Sequence, residues 1–196
     1  MAGTLSVRTF DAPVIVRRTL AASIVFCLVV FASPASRAGE LPVAAATLDR
    51  GAMGQRILAL VNRARAESRR CGKVLFRRAG PVYWNEALTQ AALNHSEDMA
   101  HHDYVNHHAL DGSTPSQRIK RAGYAPRVTG ENIAAGQMTP EEAMSDWIRS
   151  PAHCAILMDP EFTEMGVALA TRARSRHGAY WTQLFGTPRA RRKDRG

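Results

Sequence analysis

The chain has 196 residues, of which 45% are hydrophobic and 22% charged, and its formal net charge is +9. These values are ordinary for a soluble globular domain, so they exclude a collagen-like chain and a wholly disordered chain. Only one apolar run is long, and it lies at the N-terminus, which excludes a polytopic membrane protein. Only three cysteines are present, too few for a scaffold built mainly from disulfides.

The first 38 residues have the pattern of a secretory signal. Basic residues precede a thirteen-residue apolar stretch, residues 20–32, and small residues follow it. Such a stretch is about 20 Å long as a helix, short of the roughly 30 Å hydrocarbon core of a bilayer. We predict cleavage after Ala38, or alternatively after Ala35, and a secreted or periplasmic protein. An uncleaved membrane anchor is the other interpretation.

Residues 39–52 lack periodicity, so we predict a linker that leads into one domain at residues 53–187. Apolar residues at helical spacing predict that the first helix of this domain covers residues 53–68. Arg65 belongs to the polar residues that lie largely outside the apolar stripe.

Capping signals predict three further helices. Asn85 precedes the first of them, which should end near His102. Thr114 and Thr139 each stand directly before a proline, a residue favoured at the first helical position. The helix after Thr139 should stop at Pro151, and one or two helical turns should follow.

Two apolar segments near the C-terminus, residues 165–170 and 179–185, predict an antiparallel hairpin. Residues 128–135 predict another strand or an extended loop. Helices followed by an antiparallel hairpin indicate an α+β domain. The chain ends in a basic tail, residues 188–196. We interpret this tail as a solvated end, because it lacks the aromatic residues that nucleic-acid surfaces place among their cations.

Two cysteines, Cys71 and Cys154, remain after removal of the signal. An exported protein meets an oxidising environment, so the simplest prediction is a disulfide between them. It would close a loop of about 84 residues and stabilise the fold by about 4 kcal/mol. The alternatives are two separate buried thiols or a zinc site, and the zinc site is disfavoured because neither segment holds a second cysteine.

Histidine is concentrated in one segment, with five of the seven between His95 and His108. Such density is typical of metal binding or acid–base chemistry. The helical zinc signature H-E-x-x-H is absent, because Ser96 follows His95, and the nucleophile motif G-x-S-x-G is absent as well. For His95 itself we favour a structural role, with its ring hydrogen-bonded to the backbone at the edge of the core.

Five segments match the motifs of one known family in order and spacing. The sequence G-E-N-I at residues 130–133 is the most specific of them. The other four comprise residues 94–100, 103–107, 146–153 and the closing hairpin, 162–167 with 180–186. Together they resemble the CAP superfamily of cysteine-rich secretory, antigen 5 and plant pathogenesis-related proteins, in particular its bacterial SCP-like extracellular branch. The resemblance implies an α–β–α sandwich with a small antiparallel sheet between helical layers.

The resemblance also implies a cleft, in which eukaryotic members present two histidines and two glutamates that can hold a divalent metal. His107 and Glu131 match the first pair, whereas Ser150 and Tyr180 replace the second glutamate and the second histidine. His153 is either a third ligand or a structural residue at its turn. We predict a polar cleft around His107, Glu131, Tyr180 and His153. Its affinity for a divalent metal such as zinc should be weak, because zinc usually takes three or four ligands.

We favour an exported, monomeric module that binds a lipid, a cell-wall fragment or a protein in this cleft, and we leave enzymatic activity open. The first alternative is a secreted hydrolase in which His107 and Glu131 perform acid–base chemistry, with or without a divalent metal. The second alternative is a cell-surface interaction protein held by its basic tail. After cleavage of the signal we expect no membrane span.

Overall fold

The computed structural model describes residues 43–190. The predicted signal and residues 191–196 of the predicted tail lie outside this range. The helices are α1 (Val43–Arg65), α2 (Glu86–His102), α3 (Pro115–Arg121), α4 (Pro140–Arg149) and α5 (Pro151–Met158). The strands are β1 (Arg69–Cys71), β2 (Val74–Phe76), β3 (Tyr83–Trp84), β4 (Pro126–Ala135), β5 (Glu164–Thr171) and β6 (Ala179–Pro188). Within the described range, no helix combines the length and the apolar character that crossing a bilayer requires.

Helix α1 begins ten residues before the predicted start. Residues 43–52, which we predicted as part of a linker, are helical. That prediction relied on periodicity alone, whereas this segment is rich in alanine, the residue with the highest intrinsic helix propensity. A segment can therefore be helical without showing an amphipathic pattern.

The three predicted helix caps are confirmed. The side chains of Asn85, Thr114 and Thr139 each accept a hydrogen bond from a backbone N–H in the first turn of the helix that follows. Both threonine caps are capping boxes, in which a glutamine or glutamate side chain also bonds the cap residue's own N–H. Helix α4 ends before Pro151 as predicted, and the proline then occupies the first turn of α5.

The main sheet has the strand order β3-β5-β6-β4. Its three long strands are antiparallel, which confirms the predicted C-terminal hairpin. Residues 128–135, predicted as a strand or an extended loop, are part of strand β4. The two-residue strand β3 runs parallel to β5 and was not predicted. Strands β1 and β2 form a separate small hairpin where we expected only a loop. Strands of two or three residues are too short for an alternating pattern to reveal them.

Helices pack on both faces of the sheet, as an α–β–α sandwich requires. Successive residues of β6 alternate between the two layers. Trp181 and Phe185 pack into the apolar cluster with α1, α4 and α5. Leu184 and Tyr180 instead pack against α2. Helix α2 lies directly on the sheet, since a Cβ at Gly166 of β5 would fall 2.2 Å from the backbone nitrogen of Thr89.

Arg65 is buried, so our placement of it largely outside the buried stripe of α1 was wrong. Only 1% of the residue is exposed. Its guanidinium donates to the backbone carbonyls of Gly80, Leu157, Asp159 and Phe162 at 2.7 to 3.1 Å. Burial lowers its pKa to about 10, against an opposing effect of the Asp159 charge. Arg65 thus fastens the end of α1 to the segment that follows α5.

The predicted disulfide between Cys71 and Cys154 is present, with the two Cα atoms 5.5 Å apart. It joins strand β1 to helix α5, and both cysteines are buried. The bond therefore fixes the small β1–β2 hairpin to the same helical layer that Arg65 stabilises.

Candidate functional site

The centre of the candidate site is the carboxylate of Glu131 on strand β4. His107 Nδ1 donates to one carboxylate oxygen at 2.8 Å, so the predicted contact between these residues is present. Arg118 on α3 donates to the other oxygen at 2.6 Å. The Glu131 side chain is 2% exposed, that of Arg118 8% and that of His107 17%. The site is thus a largely buried cluster of three residues, of which the sequence had indicated two.

Arg118 also fixes the loop that carries His107. Its Nη1 donates to the carbonyl oxygens of His107, at 3.0 Å, and Ser113, at 2.8 Å. The capping box at Thr114 sets the start of α3 and thereby the place from which Arg118 reaches back. One guanidinium therefore connects the loop after α2, helix α3 and strand β4.

The carboxylate of Glu131 is ionised in this setting. Burial raises its pKa, but the hydrogen bond from His107 and the positive charge of Arg118 act in the opposite direction. The net result is a pKa below the ordinary value for glutamate. A buried carboxylate that keeps its charge requires partners of this kind, so the cluster is one electrostatic unit.

His95 on α2 has the structural role that we favoured, and it also adjoins this unit. Its Nε2 lies 2.9 Å from the carbonyl oxygen of Asn106 and therefore carries the proton. Burial lowers the pKa of the ring, opposed by the charge of Glu131. The neutral ring leaves Nδ1 as a hydrogen-bond acceptor, and this atom is buried without a partner in the described structure.

His153 belongs to the opposite helical layer, but its ring interacts electrostatically with His107 of the cluster. It lies in α5, where its backbone carbonyl accepts a hydrogen bond from Asn132 at 3.3 Å. Burial, together with the positive charge of His107, lowers the pKa of its ring to about 4. His153 and His107 are thus close enough for their charges to interact.

The described side chains contain no group of three or more His, Cys, Asp or Glu residues that could hold a metal ion. His107, Glu131 and His153, our three candidate metal ligands, therefore do not form such a group. Both oxygens of Glu131 are already engaged by His107 and Arg118. Within residues 43–190 the geometry brings no third metal ligand to His107 and Glu131.

Tyr180 does not lie beside His107 and Glu131, so that part of our prediction was wrong. In the β4–β6 pairing, Glu131 faces Leu184 and Tyr180 faces Ala135. Four residues of strand separate the two pairs, which corresponds to about 13 Å. The Tyr180 hydroxyl instead donates to Asp103 at 2.6 Å. Ser150, which stands at the other substituted position, caps the end of α4.

A groove of about 420 Å³ lies between α2, the loop after it and α3. Its polar lining consists of Gln90, Asn94, His95, Asp98, Asp111, Ser113, Arg118 and Arg121. This groove is not the cleft that we predicted, since none of His107, Glu131, Tyr180 and His153 lines it. It adjoins the charged cluster through Arg118, which bonds Glu131. The sequence had marked His95 by its place in the histidine-rich segment, but nothing local marked Arg118.

The sequence pattern of the cysteine-rich secretory protein family, CAP, matches residues 58–185. The uncharacterized protein YkwD of Bacillus subtilis is 34% identical over 105 residues, which is 54% of this chain and 39% of that protein. The chain therefore spans well under half the length of this relative.

Two solved structures have the same fold. One is an extracellular protein containing an SCP domain from Bacillus anthracis, with a TM-score of 0.60 and 24% identity over 76% of this chain and 45% of that chain. The other is an outer surface protein from Borrelia burgdorferi, with a TM-score of 0.50 and 21% identity over 55% of this chain and 77% of that chain. The family pattern matches more than half of the 196 residues of the present chain, so this chain belongs to the CAP family.

Proposed function

We propose that this chain is an exported CAP-domain module that binds a polar fragment of the cell envelope, a sugar or a short peptide, in the groove between α2 and α3. The observation that carries the proposal is Arg118, a buried cation that lines the groove and is held in place by Glu131. The descriptions of the two solved relatives as an extracellular and an outer surface protein support export.

The chemistry of the groove favours a polar ligand over a lipid chain. Its charged lining carries both signs, Asp98 and Asp111 against Arg118 and Arg121. Its apolar side chains are alanines alone. A lipid tail would displace water from these charges without replacing its hydrogen bonds, which is costly. The volume of about 420 Å³ is within the usual range of small-ligand sites, about 300 to 1,000 Å³.

Two buried atoms beside the groove add to this argument. His95 Nδ1 is an acceptor and Arg118 Nε–H is a donor, and neither has a partner in the described structure. Buried polar atoms normally find one. A hydroxyl or amide group that reached them would donate to the first atom and accept from the second. Sugars and peptides both supply such groups.

Calorimetry with a purified disaccharide–peptide fragment of peptidoglycan tests the proposal. Arg121→Ala and Asn94→Ala change exposed residues of the groove and should each weaken binding about tenfold, the usual effect of losing one good hydrogen bond. Arg127→Ala removes an exposed arginine of β4 outside the groove and is the matched control. Equal affinities in all four proteins would contradict the proposal, as would binding of a fatty acid but not of the fragment.

The hydrolase alternative rests on one observation, the hydrogen bond between His107 Nδ1 and Glu131. A carboxylate that orients a histidine is half of a general-base arrangement. Incubation with intact peptidoglycan, with zinc or with a chelator, distinguishes the two functions. Under the binding proposal no soluble fragments appear. Release of fragments that is lost in a His107→Gln variant would favour the hydrolase.

The affinity of the purified protein for zinc tests the predicted weak metal site. Zinc titrated by calorimetry should bind with millimolar-class affinity, because two ligands fall short of the usual three or four. Nanomolar binding that disappears in the His107→Gln variant would contradict this prediction and would require ligands that the present geometry does not bring together.

A further inference from the structure

The β1–β2 hairpin and its flanks, residues 67–78, combine exposed cations with exposed aliphatic side chains. Val74 is 57% exposed and Leu75 59%. The exposed cations are Arg70, Lys73, Arg77 and Arg78. None of the ion pairs in the described part of the chain includes any of these four. The hairpin thus carries free positive charge next to apolar surface.

The hairpin is held rigidly, so this exposure belongs to the folded state. Cys71 of β1 is bonded to Cys154 of α5. At the turn, Gly72 has a φ of 61°, and a Cβ there would fall 2.9 Å from Cβ of Pro151. Cys71 of β1 also pairs with Val74 of β2, so the disulfide holds the strand pairing next to the turn. The side chains of Val74 and Leu75 are therefore presented outward by a fixed frame.

We propose that this hairpin docks the exported domain on a membrane surface of anionic phospholipid. The four cations would contact lipid phosphates, and Val74 with Leu75 would enter the boundary between head groups and acyl chains. Cations alone would suit any polyanion, but a soluble polyanion gains nothing from two exposed aliphatic side chains. An anionic bilayer surface accommodates both features at once.

The docking surface is separate from the groove of the proposed function. The hairpin packs against α5, whereas the groove lies between α2 and α3 on the other side of the sheet. Docking by the hairpin would therefore leave the groove open to a ligand in the surrounding envelope. The two proposals stand on different residues, so either can fail while the other holds.

Sedimentation with lipid vesicles tests the docking. The full exported chain should bind vesicles of equal parts phosphatidylglycerol and phosphatidylcholine at 100 mM salt, and pure phosphatidylcholine at least tenfold more weakly. Two double variants, Val74→Ser with Leu75→Ser and Arg77→Glu with Arg78→Glu, should each weaken binding at least tenfold. All four positions are exposed, and unchanged melting curves would verify that the variants fold.

Matched controls use exposed residues elsewhere. Leu110→Ser with Met138→Ser removes two aliphatic side chains that are 65% and 57% exposed. Arg63→Glu with Arg174→Glu reverses two exposed charges. Both should leave vesicle binding unchanged, as should deletion of residues 189–196. Binding that survives the serine variants but not the glutamate variants would indicate a general polyanion surface and overturn the proposal. Loss of binding on deletion of the tail alone, or absence of binding, would also overturn it.

Discussion

The two helical layers are joined to the sheet by different chemistry. The layer of α1, α4 and α5 shares a large apolar cluster with the sheet, including the edge-to-face pair of Trp147 and Trp181. A disulfide and Arg65 reinforce this layer. The layer of α2 and α3 packs through smaller clusters and ends in the charged unit around Glu131. Stability is therefore concentrated on one face, and groups able to recognise a polar ligand on the other.

The largest expected effect comes from breaking the disulfide of the first layer. Replacing Cys71 and Cys154 together by serine should lower the free energy of unfolding by about 4 kcal/mol, because the bond closes a long loop in the unfolded chain. Denaturant unfolding of the variant and of the oxidised protein measures the difference. Binding in the groove should persist below the new melting temperature. A loss below about 1 kcal/mol would mean that the unfolded chain is already restricted by other contacts.

Removal of Arg65 should be nearly as damaging to the same layer. An Arg65→Met variant keeps much of the volume but leaves four backbone carbonyls without their donor. We expect a loss of about 3 kcal/mol in denaturant unfolding, because each unsatisfied buried group is costly. The control is Arg63→Met, which changes an exposed arginine of the same helix and should alter stability little. Equal effects of the two would show that the carbonyls of Gly80 and Phe162 find other partners.

On the second layer, Glu131→Gln should affect both stability and the groove. The variant keeps the shape of the side chain but leaves the buried guanidinium of Arg118 without its countercharge. We expect a loss of about 2 kcal/mol together with weaker binding of the peptidoglycan fragment. Arg65→Met should show the opposite combination, reduced stability with retained binding. If Glu131→Gln lowered only stability, the charged unit would be structural and the groove would have to bind its ligand without it.

The pH dependence of stability reports on the buried histidines, and His153 of the first layer should contribute most to it. His153 has a pKa of about 4 in the folded state, lowered by burial and by the charge of His107, against about 6.5 when unfolded. Between these values the unfolded chain binds more protons, so stability should fall as the pH drops from 6.5 to 4. We expect a loss of about 1.5 kcal/mol, which is about half of the full shift because the ring is partly exposed.

Melting curves from pH 4 to 7.5, with a chelator present, measure this slope. His153→Gln should reduce it and leave the part that is due to His95, whose pKa burial also lowers. His101→Gln, at an exposed position of α2, should leave the slope unchanged. Glu131 acts at lower pH. Because its pKa is lowered in the folded state, its contribution is present above about 4.3 and disappears as the pH falls further. A profile that is flat from 6.5 to 4 in the parent protein would contradict the burial of His153.

Local signals in the sequence predicted the parts of the fold that depend on neighbouring residues. The cap at Asn85 and the two capping boxes are short-range features, and the closing hairpin shows in its apolar segments. Arg118 was missed because its carboxylate partner is on another element, with no local trace. Arg65 did leave a signal, since it follows the buried Val61 by four residues and therefore shares its helix face.

The candidate site was predictable to a similar extent. The motif resemblance placed His107 with Glu131 correctly, because both positions keep the residues that the motif requires. It misplaced Tyr180, because a substituted residue need not keep the contacts of the one that it replaces. Here the tyrosine hydroxyl donates a hydrogen bond to Asp103, the left-handed C-cap residue of α2. The groove itself could not be predicted, since it arises from the packing of α2 against α3.

The smallest expected effect compares one cap from each layer. Thr114→Ala and Thr139→Ala each remove a threonine that caps its helix through the same capping box. Each should therefore cost about 1 kcal/mol of stability. Their consequences should differ, because α3 carries Arg118 and α4 carries no residue of the groove. Hydrogen exchange should rise in residues 115–123 for Thr114→Ala and in residues 140–149 for Thr139→Ala. Weaker binding of the peptidoglycan fragment should accompany only the first, and an equal loss of binding in both would show that the groove depends on overall stability rather than on the position of α3.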